Sequence, residues 1–172
     1  MNQAVLISIQ PKWCGLIASG KKIVEVRKTR PKMDTPFKVY IYETQGASDT
    51  PWMDEDGHMI FKGRGMVIGE FVCDICAEFT QDYYELSLVS DGSCVPMEEI
   101  KAYLGAANKN GYSWHISDLV IYDTPKPLSD FNSICTKKFC TYKCKHLSIC
   151  DYYGRRKLER APQSYCFVEE LP

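Results

Sequence analysis

The chain has 172 residues, 45% of them hydrophobic and 25% charged, with 9 cysteines and a formal net charge of -1. That is globular composition for one domain with room for a small appendage, and it excludes collagen-like, coiled-coil and disordered classes. No apolar run approaches the ~20 residues of a membrane helix, and MNQAVLISIQPKW lacks the basic segment of a signal peptide. A cytoplasmic protein with no membrane partner is therefore expected, its cysteines serving as thiols or metal ligands before disulfides.

Residues 4–9 are short, apolar and β-branched, which predicts a buried strand. Pro11 suits the first turn of a helix, where its missing N–H costs nothing. Trp13, Leu16 and Ile17 continue at helical spacing and Gly20 is a stop, so a helix over 11–19 is predicted. IVEVRK (23–28) alternates, with Ile23, Glu25 and Arg27 on one face, and reads as a strand. FKVYIYE (37–43) is another strand. Residues 44–65 are turn-rich and acidic and read as a surface flap. The stretch 66–79 reads as one long strand with Gly69 at a bulge. Helices are predicted near 80–90 and over 96–107, strands over 112–123 and 164–171, and an extended turn over 125–131. Few βα alternations and many strands give an α+β class built on a mostly antiparallel, barrel-like sheet.

Charge is unevenly spread. Residues 12–32 carry +6 and residues 137–160 carry +6, leaving -13 for the remainder. Basic ends around an acidic middle suit a polyanion if the ends meet in the fold, the alternative being solvated faces. Within the first basic segment, Glu25 and Arg27 share a strand face, and Lys22 sits at the turn before it. Arg27 can hold a phosphate or a base carbonyl in its fork. Burial favours a neutral amine, which would make Lys22 a base, whereas a neighbouring carboxylate favours the ammonium. The structural alternative is a surface salt bridge worth ~0–1 kcal/mol. Trp13 beside Lys12 can stack on a base or pin the helix to the sheet. His115 and Ser117 are weaker candidates, a strand histidine being more often packed than catalytic.

The series ISIQPKWCGLIASGKKIVEVRKTRP, GRGMVIGEFVCD, YSWHISDLVIYD, PKPLSDF and APQSYCFVEE resembles the ASCH family, a branch of the PUA-like β-barrels. The resemblance implies a single ASCH/PUA-like domain over 1–172, with the Cys/Lys-rich segment 132–160 inserted before the last strand. It also implies a basic cleft between the first helix and the sheet that takes RNA or a nucleotide. One branch of the family deacylates N4-acetylcytidine through Gly-x-Lys-Thr-x-Thr-x-Arg. On this chain the motif falls on Gly20, Lys22, Glu25 and Arg27, with Glu25 in place of the second Thr. Lys22, Glu25 and Arg27 are the catalytic candidates that follow, and Glu98 or Glu99 stands for a further family glutamate. Lys12, Trp13, Lys21, Lys28 and Arg30 are the nucleic-acid-binding candidates.

Cys135, Cys140, Cys144 and Cys150 lie within sixteen residues. Four thiolates so spaced can wrap a zinc ion or, less readily, hold an iron–sulfur cluster; otherwise they are small core residues. Cys166 is an alternative ligand. Cys73 and Cys76 on one continuous strand would point to opposite faces. Three functions follow: an RNA- or nucleotide-binding module, a small amidohydrolase or nuclease, and a metal-stabilised interaction protein.

Overall fold

The computed structural model of the chain describes residues 2–53, 57, 59–106, 108–135 and 155–172. The strand β1 (Gln3–Ile9) leads into the helix α1 (Pro11–Ala18). Pro11 stands in the first turn of α1, and Gly20 just beyond it takes φ +74°, a backbone conformation that glycine adopts without a Cβ penalty. Then come β2 (Val24–Arg27), β3 (Phe37–Glu43), β4 (Ala47–Met53), β5 (Met59–Lys62), β6 (Val67–Cys73) and β7 (Cys76–Phe79). Two helices follow, α2 (Tyr83–Ser93) and α3 (Met97–Leu104). Asp82 caps α2 by accepting from the backbone N–H groups of Tyr84 and Glu85. The chain closes with β8 (Gly111–His115), β9 (Ser117–Lys126), a short 3-10 turn (Leu128–Asp130), β10 (Asn132–Ile134), β11 (Arg155–Lys157) and β12 (Tyr165–Glu169).

Seven strands form one sheet in the order β11-β10-β12-β1-β3-β6-β9. Its β1–β3 pairing is parallel and the others are antiparallel. β1 lies in the middle and is buried on both faces. Val5, Ile7 and Ile9 enter one apolar cluster while Ala4 and Leu6 enter another, which is why its sequence is apolar without alternation. A second sheet has the order β2-β8-β7, and β4 pairs with β5 where a surface flap was expected.

The barrel-like expectation is corrected: among the described residues the sheets do not close. The large sheet ends at β9 and β11, and two predicted strands are each cut and shared between sheets. The 66–79 stretch breaks at Asp74–Ile75, with β6 in the large sheet and β7 in the small one. The 112–123 stretch breaks at Ile116, with β8 in the small sheet and β9 in the large one. Asp118, at φ 46°, marks the second break. Strands that switch sheets through bends make the corners of crossed packings, and they divert hydrogen bonding that a barrel would need to close. The expected bulge near Gly69 is present, as the register with both β3 and β9 shifts there.

The main core fills the space between the two sheets and α1. Trp114 is fully buried there, edge-on to Phe37 with ring centroids 5.6 Å apart. A third cluster, including Val26, Phe79, Leu86 and Ile100, packs α2 and α3 on the other face of the small sheet. No helix among the described residues is long and apolar enough to cross a membrane.

Candidate functional site

Alternation along β2 separates its side chains. Val26 packs under α2 and α3, while Glu25 and Arg27 turn to the opposite face. Glu25 stands directly across from Trp114 in the register, and Arg27 across from Tyr112. Behind the Gly20 turn, the backbone N–H groups of Lys21 and Lys22 both donate to Leu16 O, which fixes where Lys22 leaves α1.

Lys22, Glu25 and Arg27 converge and are 2%, 7% and 7% exposed, so they are not a surface salt bridge. Lys22 Nζ lies 3.2 Å from Glu25 Oε2, and Arg27 Nε lies 3.0 Å from Glu25 Oε1. The Arg27 approach is an ion contact and not an aligned hydrogen bond, since Nε has no partner in hydrogen-bond geometry. Arg27 Nη2 donates to Ser8 O at 2.7 Å. Lys22 Nζ also donates to Val24 O at 2.8 Å and Ser93 O at 3.0 Å. Its three ammonium protons therefore have three acceptors, the arrangement of a structural cation rather than of a base with a vacant lone pair.

The trio forms the floor of an open cleft of about 520 Å³. Lys12 and Trp13 of α1 make one wall, as the sequence suggested. Trp13 is partly buried against the main core, which pins α1 to the sheet, and it also lines the cleft. Lys12 Nζ lies 4.2 Å from the Trp13 ring centroid and Lys22 Nζ 5.6 Å. The opposite wall was not expected: it comes from α3, through Glu99, Ile100 and Tyr103. Of the two glutamates singled out in sequence, Glu99 reaches the cleft, while Glu98 pairs with Lys101 at 3.1 Å on the outside. A third contribution comes from Gln163 and Ser164, held in place because Ser8 Oγ donates to Pro162 O at 2.6 Å and Ser8 N to Ser164 O at 3.0 Å. The charged lining groups are Lys12, Lys22 and Arg27 against Glu25 and Glu99, a small positive excess.

Lys21, Lys28 and Arg30 do not line the cleft. Lys28 stands over the Tyr103 ring at 4.9 Å and borders a separate shallow hollow with Glu78 and Tyr112. Arg30 donates to Met33 O at 3.1 Å. His115 and Ser117 are also elsewhere. His115 Nδ1 lies 2.7 Å from Asp74 Oδ1, a hydrogen bond that holds the Asp74 carboxyl below its usual range, and Ser117 Oγ donates to Val72 O. Of the proposed metal ligands, Cys135 is a free thiol next to β10; Cys140, Cys144 and Cys150 lie outside the described residues. No cluster of three or more metal-ligating side chains occurs among the described residues. Sequence reasoning missed Ser8, Tyr103, Gln163 and Ser164, which carry no local signal and meet only through the packing of β1, α3 and the approach to β12.

The described residues thus define an α+β protein with two sheets joined at strand corners and a charged cleft beside the junction. No protein-family model and no curated protein matches the sequence. Solved structures do match. The crystal structure of ASCH from Zymomonas mobilis aligns with a TM-score of 0.55 at 18% identity, covering 73% of this chain and 73% of that one. A serine-to-alanine mutant of the same protein gives 0.55 at 18%, covering 73% and 74%. A tyrosine-to-phenylalanine mutant gives 0.52 at 16%, covering 73% and 76%. The chain has the ASCH fold.

Proposed function

We propose that the cleft binds RNA or a nucleotide, with Arg27 and Lys12 meeting phosphate or base carbonyl groups and Trp13 offering a stacking face. The observation that carries this reading is the buried Lys22–Glu25–Arg27 trio on the floor of an open hollow lined by three cations and two carboxylates. Desolvating three charges is costly, and here that cost is borne at the edge of a cavity where a guest could pair with them. The two described contacts of Arg27 use Nε and Nη2, so Nη1 is the edge left for a guest. The limited positive excess fits a guest contacted at one or two phosphates better than a long duplex.

The test is fluorescence anisotropy with a labelled single-stranded RNA, competed by nucleoside monophosphates, over a salt series. A log–log slope of about -0.7 per phosphate contact is expected, and Lys12→Ala should reduce its magnitude by about 0.7. Trp13→Ala should weaken binding by ~1–3 kcal/mol if a base stacks there. Salt-independent or absent binding would overturn the reading. Hydrolysis at the same cleft is the second reading. It is favoured by the placement of Glu99, a carboxylate on the α3 wall facing the trio, and opposed by the full engagement of Lys22. Release of acetate from N4-acetylcytidine, or cleavage of the RNA, would move the assignment to a hydrolase.

A further inference from the structure

The corner between β6 and β7 places two cysteines where a continuous strand would have separated them. Cys73 is the last residue of β6 and Cys76 the first of β7, with Asp74 and Ile75 forming the bend. Both side chains turn to the same side: Cys73 belongs to the main core cluster and Cys76 packs against it. Their thiols are close enough to act on each other, although the aligned hydrogen bond of Cys73 Sγ runs to Ile75 O at 3.4 Å. Cys73 is fully buried and Cys76 is partly open to solvent. The bend itself is held on its outer side. His115 N donates to Ile75 O at 2.9 Å, and Asp74 Oδ1 accepts from Ile75 N at 3.1 Å while meeting His115 Nδ1. The pairing of the sulfurs is thus built into the junction of the two sheets.

We propose that Cys73 and Cys76 are a reactive dithiol that exchanges with small-molecule disulfides of the glutathione type, Cys76 attacking and Cys73 resolving. The Cys76 thiolate attacks one sulfur of the disulfide. A bond forms to Cys76, the small-molecule S–S bond breaks, and the departing thiolate takes a proton. Cys73 then loses its proton to solvent and attacks the Cys76 sulfur. The Cys73–Cys76 bond forms and the second small thiol leaves. The protein is oxidised by two electrons and the disulfide is reduced to two thiols.

The surroundings divide these roles. The hydrogen bond from Cys73, aided by the charge of Arg30, holds the Cys76 thiol below its ordinary value against the effect of burial. The same hydrogen bond and burial push Cys73 up, which suits a resolving thiol that stays protonated until needed. Cys73 has a single proton. It can go to Ile75 O, 3.4 Å away, while Cys76 is a thiol, and to the Cys76 sulfur once that is a thiolate. The charge of Arg30 acts on both thiols in the same, lowering direction. Elsewhere burial pushes Cys14 well up and Cys166 up to about 11, so neither competes as a nucleophile.

The reduced full chain would be incubated with oxidised glutathione, quenched in acid, alkylated with iodoacetamide, digested and mapped by mass spectrometry. The wild type should lose two hydrogens in the peptide holding Cys73 and Cys76. Cys73→Ser should instead retain one glutathionyl group on Cys76. Cys76 and Cys73 recovered as alkylated thiols while other cysteines are oxidised, or no adduct on Cys76 in folded Cys73→Ser, would overturn the proposal. Should that variant not fold, timed alkylation of the native wild type decides: Cys76 is expected to label before Cys14, Cys73 and Cys166, and any other order among these four rejects it.

Discussion

Glu25→Gln is expected to destabilise the folded chain by about 3–5 kcal/mol, the range for removing one partner from a buried ion group. The substitution keeps the shape of the side chain and removes its charge. It would leave an ammonium and a guanidinium, 2% and 7% exposed, without the carboxylate that both of them contact. The carbonyls of Val24, Ser93 and Ser8 still accept hydrogen bonds from the two cations but do not neutralise them. Urea denaturation with an unchanged m value measures the effect as a lower midpoint. Glu98→Gln is the internal comparison: its carboxylate pairs with Lys101 with side chains 83% and 43% exposed, so a change within ~0.5 kcal/mol is expected. A loss at Glu25 as small as at Glu98 would mean that water reaches the trio, and the cleft floor would lose its special status.

Trp114→Ala should cost about 3–5 kcal/mol by leaving a cavity between the sheets. Trp114 is fully buried, edge-on to Phe37 and 5.6 Å from the Tyr165 ring. Its place in the register gives the substitution a second consequence. Glu25 and Cys76 lie directly across from it on either side, in one row of the small sheet. Side chains in such a row share a face, so the indole is the shelf against which both the trio and the dithiol are set. The double variant with Glu25→Gln should depart from additivity by ~0.5–3 kcal/mol, as neighbours do. Trp114→Phe should cost less than the alanine change, because it retains most of the volume and removes an indole N–H that has no hydrogen-bond partner. Chemical denaturation of the wild type and the four variants checks both statements; additive losses would place Glu25 and Trp114 in independent environments.

Much of the local structure is written in short-range pattern. The doubly buried β1, the Pro11 start and Gly20 stop of α1, and the alternation that puts Glu25 and Arg27 on one face all follow from periods of two and 3.6 and from the backbone limits of proline and glycine. The resemblance to ASCH rests on that same order of elements, and the fold bears it out. The residues at 74–75 and 116 are different. Nothing in the apolar runs around them marks a change of sheet, since a strand leaving one sheet for another keeps the same composition. That is why one expected strand became two at each place, why the barrel does not close, and why Cys73 and Cys76 meet.

The sequence by itself determined which side chains could form the site: a lysine at a turn, then a glutamate and an arginine two apart on a strand. Tertiary structure alone decided what those groups do there. The carbonyl of Ser93, 71 residues beyond Lys22, accepts a hydrogen bond from its ammonium, and α3 and the 163–164 segment raise the walls that make a cleft from a strand face. The physical reason is that spacing along the chain encodes direction, whereas desolvation and the pairing of buried charges depend on which distant segments pack together.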